Sequence, residues 1–316
     1  MLRIRAVSSV FVPLLCFAIV GAAEDRPKRD DPKGEERQVP VLNRKELTLK
    51  ARSDEFVQSK ELWYSRSDGK AWGDWQKHGL TFGRDTPVVW AAPEGHWRTY
   101  IRIIETSGAA LPEPDNNASP VTEFIIDRTA PAVQVQFPTA KSKLRGGHTY
   151  TLKWNATDPN LTARPVKLQW SRGGDGKYEP IVEGLANTGS YEWSVPRDMT
   201  REGSVQVLVD DKAGNVGQNT AAQILVDSIA PSGRVVSPAI SATTDLNLAI
   251  NVQEAGPAGL SSAQLWFSQD DGQSWTEGPT VGNDAKTIAW KAPGDGKFQL
   301  VIVSTDQAGN ISAIPK

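Results

Sequence analysis

The sequence predicts an all-β protein of three tandem β-sandwiches in an extended rod. Hydrophobic periodicity is two rather than 3.6, turn residues recur about every eight to twelve positions, and a set of landmarks repeats at intervals of about a hundred residues. Short alternating strands in units of that size specify sandwiches. In SVQVLVDD, for example, Val205, Val207 and Val209 share one face while Gln206, Leu208 and Asp210 share the other.

The first element is not part of the sandwiches. Residues 1–23 read as a secretory signal peptide: Arg3 and Arg5 supply a positive start, Val10 to Val20 an apolar stretch, and Ala22–Ala23 a small-residue cleavage site. That stretch is too short to span a bilayer comfortably and contains Pro13, so no membrane insertion of the mature chain is expected. The single cysteine, Cys16, lies inside it and follows Leu15, which is too large for a lipidation site. The mature protein is therefore expected in the periplasm or outside the cell, held together by packing without disulfides. Residues 24–41 follow as a charged spacer with no aromatic side chain and too little apolar surface to order itself.

The repeats occupy 42–128, 129–228 and 229–316. Each contains a strand ending in serine (ELWYSR, LQWSR, QLWFSQ), then a Trp with Pro three residues on (Trp90, Trp193, Trp290), then a β-branched run. Units two and three end that run with DKAGN and DQAGN, and their starts are marked by DRTAP and DSIAP. These signatures resemble the tandem Ig-like and fibronectin-III-like repeats of bacterial secreted and surface proteins. The resemblance implies a sandwich fold and a spacing, adhesive or binding role. The first unit departs from it, with ETSGAALPEPDNNASP in place of DxAGN. Nearly absent linkers between units predict limited bending. The third unit is expected to have a short last strand, either covered by a loop, the favoured expectation, or leaving an edge that another chain can pair with.

One turn matches a second pattern. SQDDGQSW, Ser268 to Trp275, fits the S-x-D-x-G-x-[ST]-W Asp-box and so resembles the hairpins of sialidases and related β-propeller enzymes. The resemblance assigns Asp270 to capping turn amides, Gly272 to a left-handed conformation, Trp275 to packing beneath the hairpin, and Ser268 to closing it. Degenerate copies, SRSDGKAW and SRGGDGKY, stand at the same place in the other units. Recurrence at a fixed turn fits a structural device better than a catalytic one. The hundred-residue repeat is also about twice a propeller blade. A sialidase-like hydrolase is thus a remote alternative, and no enzyme activity, catalytic residue or cofactor is expected.

Composition narrows the partners. With 35 basic and 37 acidic residues the net charge is -2, which gives no electrostatic case for nucleic acid. His78, His96 and His148 lack ligand spacing, so no transition-metal site is expected. Asp158, Asp210, Asp211 and Asp306 are oxygen donors of the kind calcium takes, but turn capping also accounts for them. The 11 tryptophans are the best lead. Trp90, Trp193 and Trp290 are assigned to cores, with Tyr64, Trp170 and Phe267 beside them. Alternation puts Trp63 and Trp266 on outer faces, where Trp72, Trp75 and Trp97 are expected to join Trp63. Such side chains either pack against adjacent loops or the neighbouring domain, which is the favoured expectation, or form a surface that stacks on a sugar ring or buries against a partner, in which case the candidate ligands are polysaccharide or another envelope protein.

Overall fold

The computed structural model describes residues 38–316 apart from 121 and 237; the signal peptide, Cys16 and most of the charged spacer lie outside them. The described chain is all strand and turn, and divides into two compact units at Arg128/Thr129.

The first unit contains β1 (Val41–Leu42), β2 (Leu47–Leu49), β3 (Val57–Ser67), β4 (Gln76–Gly83), β5 (Val88–Trp90), β6 (Gly95–Glu105) and β7 (Thr122–Ile126). Val41, placed in the spacer by the sequence, already pairs in parallel with Ile125 of β7. A five-stranded sheet in the order β1-β7-β6-β3-β4 packs on the small β2-β5 sheet. Between them lie Leu62, Val88, Trp90, Ile101 and Phe124. Tyr64 stacks on Trp90 with centroids 4.8 Å apart, and Trp97 meets the same indole edge-on at 5.2 Å.

The second unit holds two sandwiches. One comprises β8 (Ala132–Phe137), β9 (Lys143–Arg145), β10 (Thr149–Thr157), β11 (Leu161–Ser171), β12 (Glu179–Leu185), β13 (Ser190–Ser194), β14 (Thr200–Asp211) and β15 (Val216–Asp227). Its sheets run β13-β10-β8 and β12-β11-β14-β15-β9. The chain changes sheet between β8 and β9, and β9 closes the larger sheet through a parallel pairing, Leu144 opposite Val226. The other comprises β16 (Ser232–Val236), β17 (Asp245–Gln253), β18 (Leu260–Ser268), β19 (Thr276–Gly282), β20 (Thr287–Lys291) and β21 (Gln299–Asp306), in sheets β16-β17-β20 and β19-β18-β21. After β21, only Thr305 and Ile311 pair, as an isolated bridge.

The period-two patterns explain the cores. Val205, Val207 and Val209 of β14 are buried, as are Leu168 and Trp170 of β11. The repeated Trp meets its strand neighbour in each sandwich: Trp170 with Trp193 and Phe267 with Trp290, both at 5.2 Å. The shape is fitted to these rings. A Cβ added at Gly203 would lie 2.1 Å from the Trp170 ring, so only glycine leaves the indole its place.

Candidate functional site

The outer face of the first unit's large sheet is the most aromatic surface among the described residues. Strand pairing sets Trp63 opposite Tyr100 and Glu61 opposite Arg102. The turn after β3 brings Trp72 and Trp75 over the same face, and the Arg98 guanidinium sits between them, 4.9 Å and 4.5 Å from the two ring centres. Arg98 is buried, and burial pulls its pKa down from the usual arginine value, opposed by the charge of Glu123. The two rings replace part of the water it has lost. Burial of Glu61 pushes its carboxyl up, but hydrogen bonds and charge from Lys77 and Arg102 outweigh this and hold it below its usual range. Glu61 accepts from Lys77 at 2.7 Å and from Arg102 at 3.2 Å.

This face is already covered in part. The loop that replaces DxAGN in the first unit lies across it and accepts three hydrogen bonds from the patch. Trp75 Nε1 donates to the Asp115 carbonyl at 2.8 Å, Tyr100 Oη to that of Pro112 at 3.3 Å, and Arg102 Nε to that of Leu111 at 2.7 Å. Of the tryptophans assigned to a ligand surface, Trp63, Trp72 and Trp75 do gather here, each half-buried. Trp97 does not. It is in the core, its Nε1 bonded to the Pro93 carbonyl at 2.8 Å. Its parity along β6 is that of Ile101 and Ile103, whereas His96, Arg98 and Tyr100 point outward. Parity in HWRTYIRI was readable and would have replaced Trp97 by Arg98 and Tyr100. Trp266 stands in the second unit, half-buried, with its Nε1 3.2 Å from Gln264 Oε1 of its own strand.

In the hairpin between β18 and β19, Asp270 is bound on both carboxylate oxygens. The Ser274 hydroxyl donates to Oδ2, while the Ser274 amide and the Ser268 hydroxyl donate to Oδ1 at 2.8 Å each. Led by the Ser274 hydroxyl, these donors hold the carboxyl down at about 2. Gly272 has φ +89°, and a Cβ built there would approach the Trp275 ring at 3.7 Å. The Ser268 hydroxyl and both Asp270 carboxylate oxygens are thus used within the turn. The equivalent serines of the other sandwiches, Ser65 and Ser171, are also buried and donate to the Gly73 and Gly173 carbonyls, both at 2.6 Å.

The acidic residues divide. Asp210 is exposed, on the opposite face of β14 from the core valines. Asp211 and Asp306 are buried and make the same turn. Each carboxylate accepts the backbone N–H of the Asn four residues on and, at 2.7 Å, that residue's side-chain amide. A carboxylate oxygen of Asp158 lies within 4.8 Å of one from Asp211. Asp306 has two companions that the sequence did not single out, Asp227 at the end of β15 and Glu254 just after β17, with one oxygen from each of the three within 4.8 Å of the others. Asp227 carries the first letter of DSIAP, a signal for this position; Glu254 belongs to no repeated motif. Asp227 Oδ2 accepts from the Ala258 amide at 2.8 Å and Oδ1 from that of Ile229 at 2.9 Å. Its carbonyl accepts from Asn310 Nδ2 at 3.1 Å and from the Gly146 amide at 2.8 Å. The DxAGN turn of the third sandwich is therefore bonded to the DxxAP segment that precedes it.

A family model for the Kre9/KNH-like N-terminal Ig-like domain matches residues 137–222, which fall in the second sandwich. No curated protein matches the chain. Among solved structures, the fibronectin(III)-like modules of Clostridium thermocellum CbhA are 12% identical, with TM-score 0.37 over 57% of this chain and 89% of that one. Titin domains A168–A170 are 14% identical, with TM-score 0.40 over 89% and 94%. A 1.5-MDa bacterial ice-binding adhesin is 15% identical, with TM-score 0.34 over 81% and 83%. Overall scores this low carry no functional argument. On its own sheets and cores, and on the family match to the second sandwich, the chain is an all-β protein of tandem Ig-like sandwiches.

Proposed function

We propose that this chain is a secreted, non-enzymatic structural or adhesive spacer of the cell envelope. The observation that carries the reading is the junction inside the second unit. Only residues 228–231 separate β15 from β16, and the junction is bonded on several sides. Asn310 and Ala258 of the third sandwich bind Asp227 of the second, Lys143 Nζ donates to the Ala258 carbonyl at 2.7 Å, and Arg201 Nη1 donates to that of Pro257 at 3.3 Å. Bonds of this kind resist bending, which is what a spacer needs and a mobile catalytic pair does not. Among the described residues no helix is long and apolar enough to cross a membrane.

The alternative is a carbohydrate-binding accessory protein using the outer tryptophans. The covering loop weighs against it, because Trp75 and Tyr100 already spend their polar edges on carbonyls of the chain itself. A hydrolase is disfavoured by Asp270, whose oxygens are both committed to the turn. The discriminating experiment is a pull-down of the mature chain on insoluble polysaccharides, beside a Trp63→Ala/Trp266→Ala variant. The spacer reading expects neither to be retained. Retention of the wild type that is lost in the variant would establish a sugar surface in its place.

A further inference from the structure

We propose that Asp227, Glu254 and Asp306 form a calcium site at the junction of the second and third sandwiches. Each carboxylate comes from a different segment: the last residue of β15, the loop after β17, and the last residue of β21. One oxygen of each lies within 4.8 Å of the other two. Ligands on one calcium ion, at about 2.3–2.6 Å from it, are separated by no more than about 5 Å, so the spacing fits a single ion between them.

The local charge calls for such an ion. Asp227 is 0% exposed and Asp306 2%, yet among the described residues none of the three carboxylates is ion-paired to Lys, Arg or His. Lys143, the ammonium that reaches this loop, is bound to the Ala258 carbonyl and the Gln307 side chain. A second observation comes from Glu254 itself. The residue is partly exposed, but its Oε2 is sealed from solvent and has no hydrogen-bond partner, while Oε1 takes the Gly256 amide at 2.7 Å. A buried carboxylate oxygen left without a donor is costly, and the same side chain holds one oxygen within 4.8 Å of an oxygen from each of two further buried carboxylates. Burial first, and then the charges of Asp306 and Asp227, push the Glu254 carboxyl above its usual range. A divalent cation supplies at once the missing charge and the missing partner.

The donor set selects the ion. Three hard carboxylates with no His or Cys suit calcium rather than zinc. Ligands drawn from three separate segments, in no preset octahedron, suit calcium better than magnesium. Bound there, the ion would tie the end of the second sandwich to two loops of the third.

The test uses the chelator-treated mature chain, titrated with calcium chloride by calorimetry and melted with and without it. Calcium at about 10 mM should give a saturable one-site heat and raise Tm by about 4 °C. Magnesium at equal ionic strength should give neither. Glu254→Gln should abolish both the heat and the shift without lowering Tm in the calcium-free state, because it removes one of three repelling charges. The proposal is overturned by the absence of heat and shift in the wild type, by an equal response to magnesium, or by a response that survives Glu254→Gln. The wild-type titration decides by itself if the variant does not fold.

Discussion

At the scale of single residues, the chain invests its small polar side chains in turns. Ser65, Ser171 and Ser268 lie at or near the ends of equivalent strands, are almost wholly buried, and each bonds into the turn that follows. Asp270 adds a titratable latch. Its folded-state pKa, about 2, lies below the ordinary aspartate value of about 3.9. A depressed carboxyl contributes stability that is fully present above the unfolded value and lost as the pH falls through the folded one, here between about pH 4 and pH 2. Ser274→Ala removes the leading donor, so the Asp270 midpoint should move up toward the ordinary value. A carboxyl ¹³C titration of the two proteins reads this, and an unchanged midpoint would contradict the assignment. Residue identity was legible where a pattern constrained it. Trp90, Trp193 and Trp290 recur at one position and are buried, and the turn serines recur likewise. Glu254 lies outside the repeated signatures, and what makes it notable, a sealed and partnerless oxygen, depends on contacts made by distant chain.

Among the elements, parity along a strand decided which aromatic side chains were placed correctly. Trp63 and Trp266 follow the alternation of their strands and reach outer faces, whereas Trp97 shares the parity of Ile101 and turns inward. The loop from residue 106 to 120 was legible as a departure from the repeat, but its resting place was not. Three side chains, Trp75 just before β4 and Tyr100 and Arg102 on β6, hold it, and no local rule links them to the Leu111, Pro112 and Asp115 carbonyls. The two signatures also have a physical reason to occur together. Gly217 follows DKAGN, and a Cβ added there would lie 2.0 Å from the carbonyl oxygen of Pro131, the last residue of DRTAP. Backbone on both sides leaves nothing to yield. Gly217→Ala should therefore destabilise the second sandwich by about 2 kcal/mol, the usual scale of overpacking. Urea unfolding measures it, and a change within about 0.5 kcal/mol, typical of an unconstrained surface site, would contradict the close approach.

For the whole molecule, the second unit matters most, because it holds two sandwiches as a stiff pair. The sequence indicated the short connection through DSIAP and the marginal pairing after β21. It did not indicate that the connection is bonded sideways, through Asn310, Ala258, Lys143 and Arg201, since those contacts join residues up to 115 positions apart. Tandem sandwiches joined in this way transmit orientation, and a spacer draws on that property whether or not an ion occupies the junction. The most direct measurement is a set of residual dipolar couplings from the weakly aligned mature chain, collected for amides of residues 132–227 and 232–306. A stiff pair requires a single alignment tensor to fit both sets. Two tensors differing in magnitude or orientation would mean that the sandwiches move independently, and would contradict it.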